Sequence, residues 1–226
     1  GTGTREGNLK TNFDNGVTVE FWLKKDSFDA SKTEKEVIFD LWNGDDIATA
    51  TYGRVLLQLT GTATSNFILT VQSGASSPYM EEAFGTATTP TTLQTFGHYA
   101  FRIYNSGSDI NVDFYKNGQL LESDTKAGSL GEITGSMQAN IGALTSEARI
   151  SGSPYADRGW GKLSGSLDEF RFWKAKRTSK DIGRYWFTQV GGGSNEDVAN
   201  ASLGVYYKFN EGISGIDSID STVLDY

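Results

Sequence analysis

The chain has 226 residues and a formal net charge of −8, and 37% of its residues are apolar. This length suits one large domain better than two small ones, and the acidic balance excludes nucleic acid as an expected partner because phosphate backbones would be repelled. The absence of cysteine excludes disulfides and thiolate metal sites, and no apolar run is long enough to insert into a membrane.

The composition favours β-structure over helix bundles. The chain contains 27 Gly and only 3 Pro, together with 13 Phe, 10 Tyr and 5 Trp. Aromatic side chains offset the modest apolar content because each of them buries a large area. Plentiful Gly, Ser and Thr are typical of strands joined by turns.

The first half of the chain is predicted to contain four strands, over residues 17–23, 37–42, 54–59 and 66–71. The charged run 24–36 between the first two is interpreted as a solvated loop. Residues 73–95 are also predicted to form a loop, with a Thr-rich segment of low complexity near its end. A loop of that length is either functional or mobile.

The second half is predicted to contain strands over residues 98–104, 110–116, 119–122, 137–144, 165–173 and 203–209. Asn117 and Gly118 lie between two of them and supply the positive φ angles of a two-residue hairpin turn. Residues 145–162 are predicted to form a long loop. The strand at 165–173 reads as buried on both faces.

A single short helix is predicted near the C-terminus. Thr178 is placed to cap it, and Asp181 follows three residues later in the position of a capping box. Ile182, Tyr185 and Trp186 would form the apolar stripe of this helix.

Four segments occur in a familiar order and at a familiar spacing: VTVEFWL at 17–23, GHYA at 97–100, FYKNG at 114–118 and GSLDEFRFW at 165–173. Over residues 13–190 the chain therefore resembles laminin-G-like domains, of the pentraxin-like branch of the concanavalin A-like lectin/glucanase superfamily. The resemblance implies an all-β, two-sheet antiparallel jelly-roll sandwich. It also implies binding of sugar, protein or a surface, often with bound calcium, and usually no catalysis.

One segment departs from the family pattern. The sequence YYKFNEG at 206–212 resembles the segment that normally opens such domains, yet it lies near the C-terminus. It could supply the first strand by circular permutation, or begin a second copy of the domain. We expect the strand at 203–209 to complete this sandwich, because chain termini are often close together, and we expect residues 1–226 to form a single domain.

The glycosidases of the superfamily that the chain resembles carry two carboxylates two to four residues apart on one strand. Alternation places residues i and i+2 on the same face of a strand. No such pattern is found here. Asp168 and Glu169 are adjacent, so they are expected to point to opposite faces of the sheet. His98, the only histidine, is expected to have a structural role.

Calcium takes oxygen ligands from carboxylates and backbone carbonyls. Asp168 is the first candidate, because the resemblance places a ligand near the start of its strand. The alternative is a buried carboxylate paired with Arg102 or Arg171. Weaker candidates, which can equally be ordinary turn residues, are Asp45, Asp46, Asp217 and Asp220.

A sugar site needs an exposed aromatic ring beside polar groups that bind hydroxyls. Within the loop at 145–162, Trp160 and Tyr155 meet this requirement, with Asp157 and Arg158 beside them. The alternative is that Trp160 folds back onto the edge of the sandwich. Two further candidate rings in other loops are Tyr52 and Tyr79.

The sequence thus predicts a non-catalytic binding or adhesion module for carbohydrate or a protein surface, located extracellularly, on a cell surface or on a virion, with calcium as a possible cofactor. Two alternatives stay open. One is a structural module of a phage or bacterial surface assembly, and the other is a glycosidase-related domain that lacks the carboxylate pair. The ligand and the oligomeric state do not follow from the sequence.

Overall fold

The computed structural model describes residues 5–28, 35–61, 65–86, 88–145, 148–150, 153–155, 161–190 and 202–210, with the backbone alone at 5–6, 148–150 and 153–155. Its strands are β1 (Val17–Lys25), β2 (Glu36–Trp42), β3 (Gly53–Leu59), β4 (Phe67–Ser73), β5 (Ser76–Phe84), β6 (Gly97–Ser106), β7 (Asp109–Lys116), β8 (Gln119–Ala127), β9 (Gln138–Ile141), β10 (Ala148–Ile150), β11 (Ser153–Tyr155), β12 (Gly165–Trp173) and β13 (Leu203–Tyr207). Its helical segments are α1 (Arg5–Asn8), α2 (Pro90–Leu93) and α3 (Ser179–Tyr185).

Two antiparallel sheets form the fold. The six-stranded sheet has the order β13-β12-β1-β6-β7-β8, and the five-stranded sheet has the order β5-β4-β3-β2-β9. Strands β10 and β11 form a separate hairpin. The predicted all-β sandwich of two antiparallel sheets is therefore confirmed.

The core lies between the two sheets. In β1, Val17, Val19, Phe21 and Leu23 alternate into it and are fully or almost fully buried. Phe67 from the opposite sheet packs against the six-stranded sheet, with its ring centroid 4.9–6.5 Å from those of Phe21, Tyr99, Phe101 and Phe114. Burial of each such side chain contributes roughly 1.5–3 kcal/mol.

The outer face of the six-stranded sheet is covered by α3. Thr178 caps this helix by accepting a hydrogen bond from the Asp181 backbone N–H at 3.1 Å, as the sequence predicted. Ile182 packs against Ala100 and Tyr115. The helix therefore buries side chains that would otherwise form the solvent face of β6 and β7.

Two loop predictions were wrong. Strand β5 lies within the segment 73–95, and it pairs with β4 at the edge of its sheet. Pro78 is tolerated there because an edge strand has backbone N–H groups that need no partner strand. Strands β10 and β11 lie within the predicted loop at 145–162.

Strand β13 lies at the edge of the six-stranded sheet and pairs with β12. Arg171 faces Tyr206, and Phe172 faces Val205. The segment that resembles a domain's opening strand therefore joins the sheet formed by the rest of the chain.

Candidate ligand-binding site

Residues 145–162, which carry the predicted aromatic ligand contacts and contain the β10–β11 hairpin, are called the 145–162 loop. This loop is fixed at both ends on strand β2. At its first residue, the Thr145 backbone N–H and hydroxyl donate to Asp40 Oδ2 at 2.8 and 2.9 Å. At its far end, the Gly161 carbonyl accepts a hydrogen bond from the Val37 N–H at 2.7 Å. Both anchors are residues of β2: Asp40 binds through its side chain and Val37 through its backbone N–H.

Apolar packing reinforces the first anchor. Leu144, which precedes Thr145, forms a small cluster with Val37 of β2 and Leu56 of β3, and all three are buried. This cluster is separate from the core between the sheets, so it lies on the outer face of the five-stranded sheet. The residue that precedes the loop is therefore held in place by buried side chains of β2 and β3.

A buried ion pair also joins β2 and β3 next to this cluster. Arg54 donates from Nε to Asp40 Oδ1 at 2.8 Å and from Nη2 to Asp40 Oδ2 at 2.6 Å. Neither side chain is more than 1% exposed. Such a pair fixes geometry, because each charge would be costly to bury without the other.

Two of the predicted exposed rings are buried instead. Tyr52 is only 5% exposed and lies beside Arg54, and burial raises the pKa of its phenol. Tyr79 lies in β5 rather than in a loop, and its hydroxyl donates to the Asp124 and Ile110 carbonyls at 2.9 and 3.3 Å. The prediction of exposed rings at these positions was wrong: the Tyr79 ring packs in the core between the sheets, and the Tyr52 ring is buried beside Arg54.

The other aromatic candidates fall outside what the structure describes. Trp160, Asp157 and Arg158 lie outside the described residues, and only the backbone of Tyr155 is described, in β11. Their part in a site stays a prediction.

Two of the weaker calcium candidates, Asp45 and Asp46, lie in the connection between β2 and β3. Asp45 accepts a hydrogen bond from Asn43 Nδ2 at 3.2 Å, and Asp46 Oδ1 accepts from the Ala48 N–H at 2.9 Å. The latter is a local turn contact of the kind aspartate commonly makes. Asp217 and Asp220 lie outside the described residues. Among the residues with described positions, no group of three or more acidic or histidine side chains is arranged to hold a metal ion.

The prediction that Asp168 and Glu169 point to opposite faces of the sheet was wrong. Asp168 faces Trp22 across the sheet, but Glu20 faces Arg171, so β12 has one extra residue at a bulge. Glu169 occupies it with φ of 50°. The bulge interrupts the two-residue period, and both carboxylates lie on the outer side of the six-stranded sheet.

Asp168 is not the buried ion-pair partner of either predicted arginine. Arg102 binds Asp113, with Nε 2.9 Å from Oδ2, and Arg171 donates to Glu169 Oε2 at 2.7 Å. Asp168 Oδ1 accepts the N–H of Glu169 at 2.9 Å. Burial raises the pKa of Asp168 above its ordinary value, and the nearby charge of Glu169 adds to this effect. The hydrogen bond from the Glu169 N–H and the charge of Arg171 act in the opposite direction without cancelling the rise.

A buried charged cluster lies under α3, and the sequence analysis did not single out its central residue, Glu20. Arg177 Nη1 is 3.3 Å from Glu20 Oε1, and Arg171 Nη1 and His98 Nε2 are each 3.6 Å from Glu20 Oε2. These are ion-pair distances rather than hydrogen bonds. Burial disfavours the Glu20 carboxylate, but attraction from His98, Arg177 and Arg171 outweighs it and lowers the pKa to about 2.

His98 is buried among aromatic rings, which is the environment that the predicted structural role requires. It is 1% exposed, and its ring lies 5.9 and 6.1 Å from those of Trp22 and Trp186.

The signal that could have revealed Glu20 was its position in β1, where it alternates with inward-facing Val19 and Phe21. Glu20 must therefore point toward the face that α3 covers.

Two face-to-face antiparallel sheets, with a helix packed on the outer side of one, define a jelly-roll β-sandwich of the concanavalin A-like kind. A laminin G family model, described as the Concanavalin A-like lectin/glucanases superfamily, matches residues 4–183. The chain belongs to that superfamily. Strand β13 lies beyond the matched region.

Solved structures match the chain at low sequence identity and with TM-scores below 0.5. A heptameric SAP-like pentraxin from Limulus polyphemus is 18% identical over 77% of this chain and 70% of that chain, with a TM-score of 0.44. Domains LG4-5 of the mouse laminin alpha1 chain are 11% identical over 76% of this chain and 42% of that one, with a TM-score of 0.45.

A Bacillus licheniformis beta-glucanase is 16% identical over 59% of this chain and 56% of that chain, with a TM-score of 0.32. At these identities and TM-scores, none of the three likenesses carries an argument about ligand or activity. No curated protein matches the chain. Of the helices in the described ranges, none combines the length and apolar character needed to cross a membrane.

Proposed function

We propose that this chain is a non-catalytic binding module whose ligand contacts the loop at 145–162. The observation that carries the proposal is the double anchoring of that loop on β2, through Thr145 on Asp40 and Gly161 on Val37. Binding residues commonly lie on loops that a rigid scaffold positions. The anchors supply such a scaffold at both ends of one loop.

The composition of the loop supports carbohydrate as the ligand. Trp160 and Tyr155 provide aromatic faces for the apolar side of a sugar ring, and Asp157 and Arg158 provide hydrogen-bonding groups for hydroxyls. A protein surface is the other partner compatible with such a set. Membership of a superfamily of lectin-like folds favours an extracellular location, where either partner would be met.

The use made of the buried carboxylates supports binding rather than catalysis. Glu20, Asp40 and Glu169 each form an ion pair with an arginine. These three groups are committed to structural contacts, whereas a glycosidase needs a carboxylic acid that is free to donate its proton.

A glycan array tests the proposal, with the native chain in calcium and in chelator. Trp160→Ala is expected to weaken binding of the best ligand by at least about tenfold, because a buried aromatic contact is a typical hot spot. Phe187→Ala is the matched control, since Phe187 is 64% exposed and lies just after α3. Absence of binding to every glycan in both conditions would count against carbohydrate, and full binding by Trp160→Ala would move the site elsewhere.

The second candidate is a structural module that binds another copy of itself. Strand β8 lies at the edge of the six-stranded sheet, where Leu120 and Leu121 are 50% and 44% exposed. Exposed apolar residues on an edge strand favour pairing with another chain. Light scattering that shows a stable oligomer, dispersed by Leu121→Lys, would support this candidate, and a monomer at high concentration would contradict it.

A further inference from the structure

Lys25 differs from the other lysines that the structure describes because its side chain is fully buried. The residue ends β1 and falls within the charged run 24–36, which the sequence analysis interpreted as a solvated loop. That interpretation is wrong at this position. A buried ammonium is costly unless it is paired and hydrogen-bonded, so its surroundings must compensate its charge.

Three oxygen atoms and one aromatic ring surround the Lys25 ammonium. Lys25 Nζ donates to the Ser164 carbonyl at 2.7 Å and to the Asp26 carbonyl at 3.3 Å. It lies 3.2 Å from Glu36 Oε1 and 4.8 Å from the centroid of the Phe28 ring. The term Lys25 cage is used for the Lys25 ammonium together with the three oxygen atoms that surround it.

The Lys25 cage joins three segments that are distant in sequence. Glu36 opens β2, and its Oε2 accepts the N–H of Ser164 at 2.7 Å. Ser164 Oγ donates to Asp26 Oδ2 at 3.0 Å, and the Asp26 N–H donates to the Ser164 carbonyl at 3.2 Å. The cage therefore connects the end of β1, the start of β2 and the chain that enters β12.

Two backbone carbonyls and one carboxylate are the ligand types that calcium prefers in proteins. We propose that Lys25 is a tethered cation that occupies a site of calcium-like donors, so that the chain supplies this positive charge itself. The cage then needs no metal, and removal of the ammonium leaves an oxygen site with a negative charge from Glu36. A divalent cation can fill that site, assisted by the neighbouring Asp26 carboxylate.

The cage also acts on the loop that carries the proposed ligand contacts. Ser164 lies three residues after Gly161, where the loop returns to β2. Lys25 is thus a positioning residue for the end of this loop, a statement that rests on the proposed function. The cage itself does not depend on that function, and the test reads stability and metal uptake, neither of which requires a ligand.

Three variants test the cage. Lys25→Ala removes the ammonium and vacates its space, and Lys25→Met removes the charge but fills the space. Lys10→Ala is the control, because Lys10 forms an exposed pair with Glu132 at 3.4 Å. Melting temperatures are measured in chelator and in millimolar calcium, and bound calcium is measured by equilibrium dialysis and elemental analysis.

In chelator, Lys25→Ala and Lys25→Met are expected to melt roughly 10 °C below the native chain, because one partner of a buried pair has been removed. In calcium, Lys25→Ala is expected to recover at least half of this loss and to bind more calcium than the native chain does. Lys25→Met should lose stability without recovering it, and Lys10→Ala should change neither property.

The proposal is overturned if Lys25→Ala gains neither stability nor calcium, or if both Lys25 variants are as stable as Lys10→Ala. If Lys25→Ala does not fold in chelator, its folding in calcium becomes the readout. Folding only with calcium supports the cage, and failure to fold in calcium contradicts it. An absence of glycan binding would leave these outcomes unchanged, so failure of the proposed function is distinguishable.

Discussion

Asp40 and Arg54 join β2 to β3 through two parallel hydrogen bonds of 2.6 and 2.8 Å. The same Asp40 Oδ2 that accepts from Arg54 also accepts both donors of Thr145. One buried carboxylate therefore links the sheet to the first residue of the candidate ligand loop. Its charge is matched within the sheet, and its remaining hydrogen-bonding capacity orders the loop.

Asp40→Asn is expected to lower the free energy of unfolding by about 3 kcal/mol, because it leaves the Arg54 charge buried without its counter-ion. Urea denaturation at neutral pH measures this change. Glu132→Gln provides the control, since Glu132 pairs with Lys10 at the surface and its loss should cost less than about 1 kcal/mol. Equal effects of the two substitutions would contradict a structural role for the Asp40 pair.

Glu20 is expected to make the protein sensitive to acid. Its pKa is lowered from 4.5 to about 2 in the folded chain, despite burial, by His98, Arg177 and Arg171. The stability it contributes is therefore fully present above pH 4.5 and is lost as the pH falls through 4.5 toward 2, by roughly 3 kcal/mol in total.

Urea midpoints of the native chain and of Glu20→Gln, compared from pH 2 to pH 7, test this dependence. The native chain should lose stability steeply below pH 4.5, and the variant should be less stable at pH 7 and lose less on acidification. Parallel pH profiles for the two proteins would show that Glu20 does not carry the effect.

Local sequence signals predicted much of the fold. Asn117 and Gly118 have positive φ angles of 49° and 76°, as the predicted hairpin turn requires. Thr178 caps α3 through the Asp181 N–H. Both features depend on neighbouring residues alone, so a single sequence is sufficient to predict them.

Features that depend on distant partners were missed. Strict alternation placed Asp168 and Glu169 on opposite faces, but a bulge opposite Glu20 and Trp22 brings both to one side. Glu169 is not a glycine, so its positive φ carried no signal in the sequence. Its position becomes understandable only with Arg171 and Tyr206, which both bind its carboxylate.

Charge alone also misled the interpretation of the run 24–36. Lys25 reads as a surface residue until Ser164, 139 positions later, supplies a carbonyl oxygen to its ammonium. In the candidate site, the loop itself was predicted from its aromatic composition. Its attachment to Asp40, 105 positions before Thr145, could not be predicted, because hydrogen bonds between distant residues have no local pattern.

Asp168→Asn distinguishes a calcium ligand from a partly buried carboxylate. Burial raises the pKa of Asp168, so its ionised form weakens the folded state as the pH rises through that pKa. In calcium-free buffer at neutral pH, the variant is expected to be slightly more stable than the native chain, and the difference should vanish in strong acid. If Asp168 binds calcium, the native chain alone will gain stability when calcium is added. Lower stability of the variant without calcium would contradict the proposed effect of burial.

Thr178→Ala is expected to lower the free energy of unfolding by about 1 kcal/mol, because the start of α3 loses the hydroxyl that accepts from the Asp181 N–H and donates to the Asp181 carboxylate. Thr178→Ser keeps a hydroxyl at the same position and serves as the matched control. Thermal unfolding followed by circular dichroism measures both variants. A loss of equal size in the serine variant would show that the methyl group of Thr178, rather than its cap, carries the effect.

Removal of β13 tests whether the C-terminal strand is part of the folding unit. A chain that ends at Val190 lacks the Tyr206 hydroxyl that donates to Glu169, and it exposes the backbone edge of β12. Unpaired edges promote association between chains, so we expect this variant to be less stable than the full chain and to self-associate. Size-exclusion chromatography and thermal unfolding measure both effects.

Tyr206→Phe separates the two contributions, because it removes the hydroxyl and retains the strand. The free energy of unfolding of this variant should fall by about 1 kcal/mol, and the variant should not self-associate. A truncated chain that unfolds like the full chain would show that the sandwich is complete without β13.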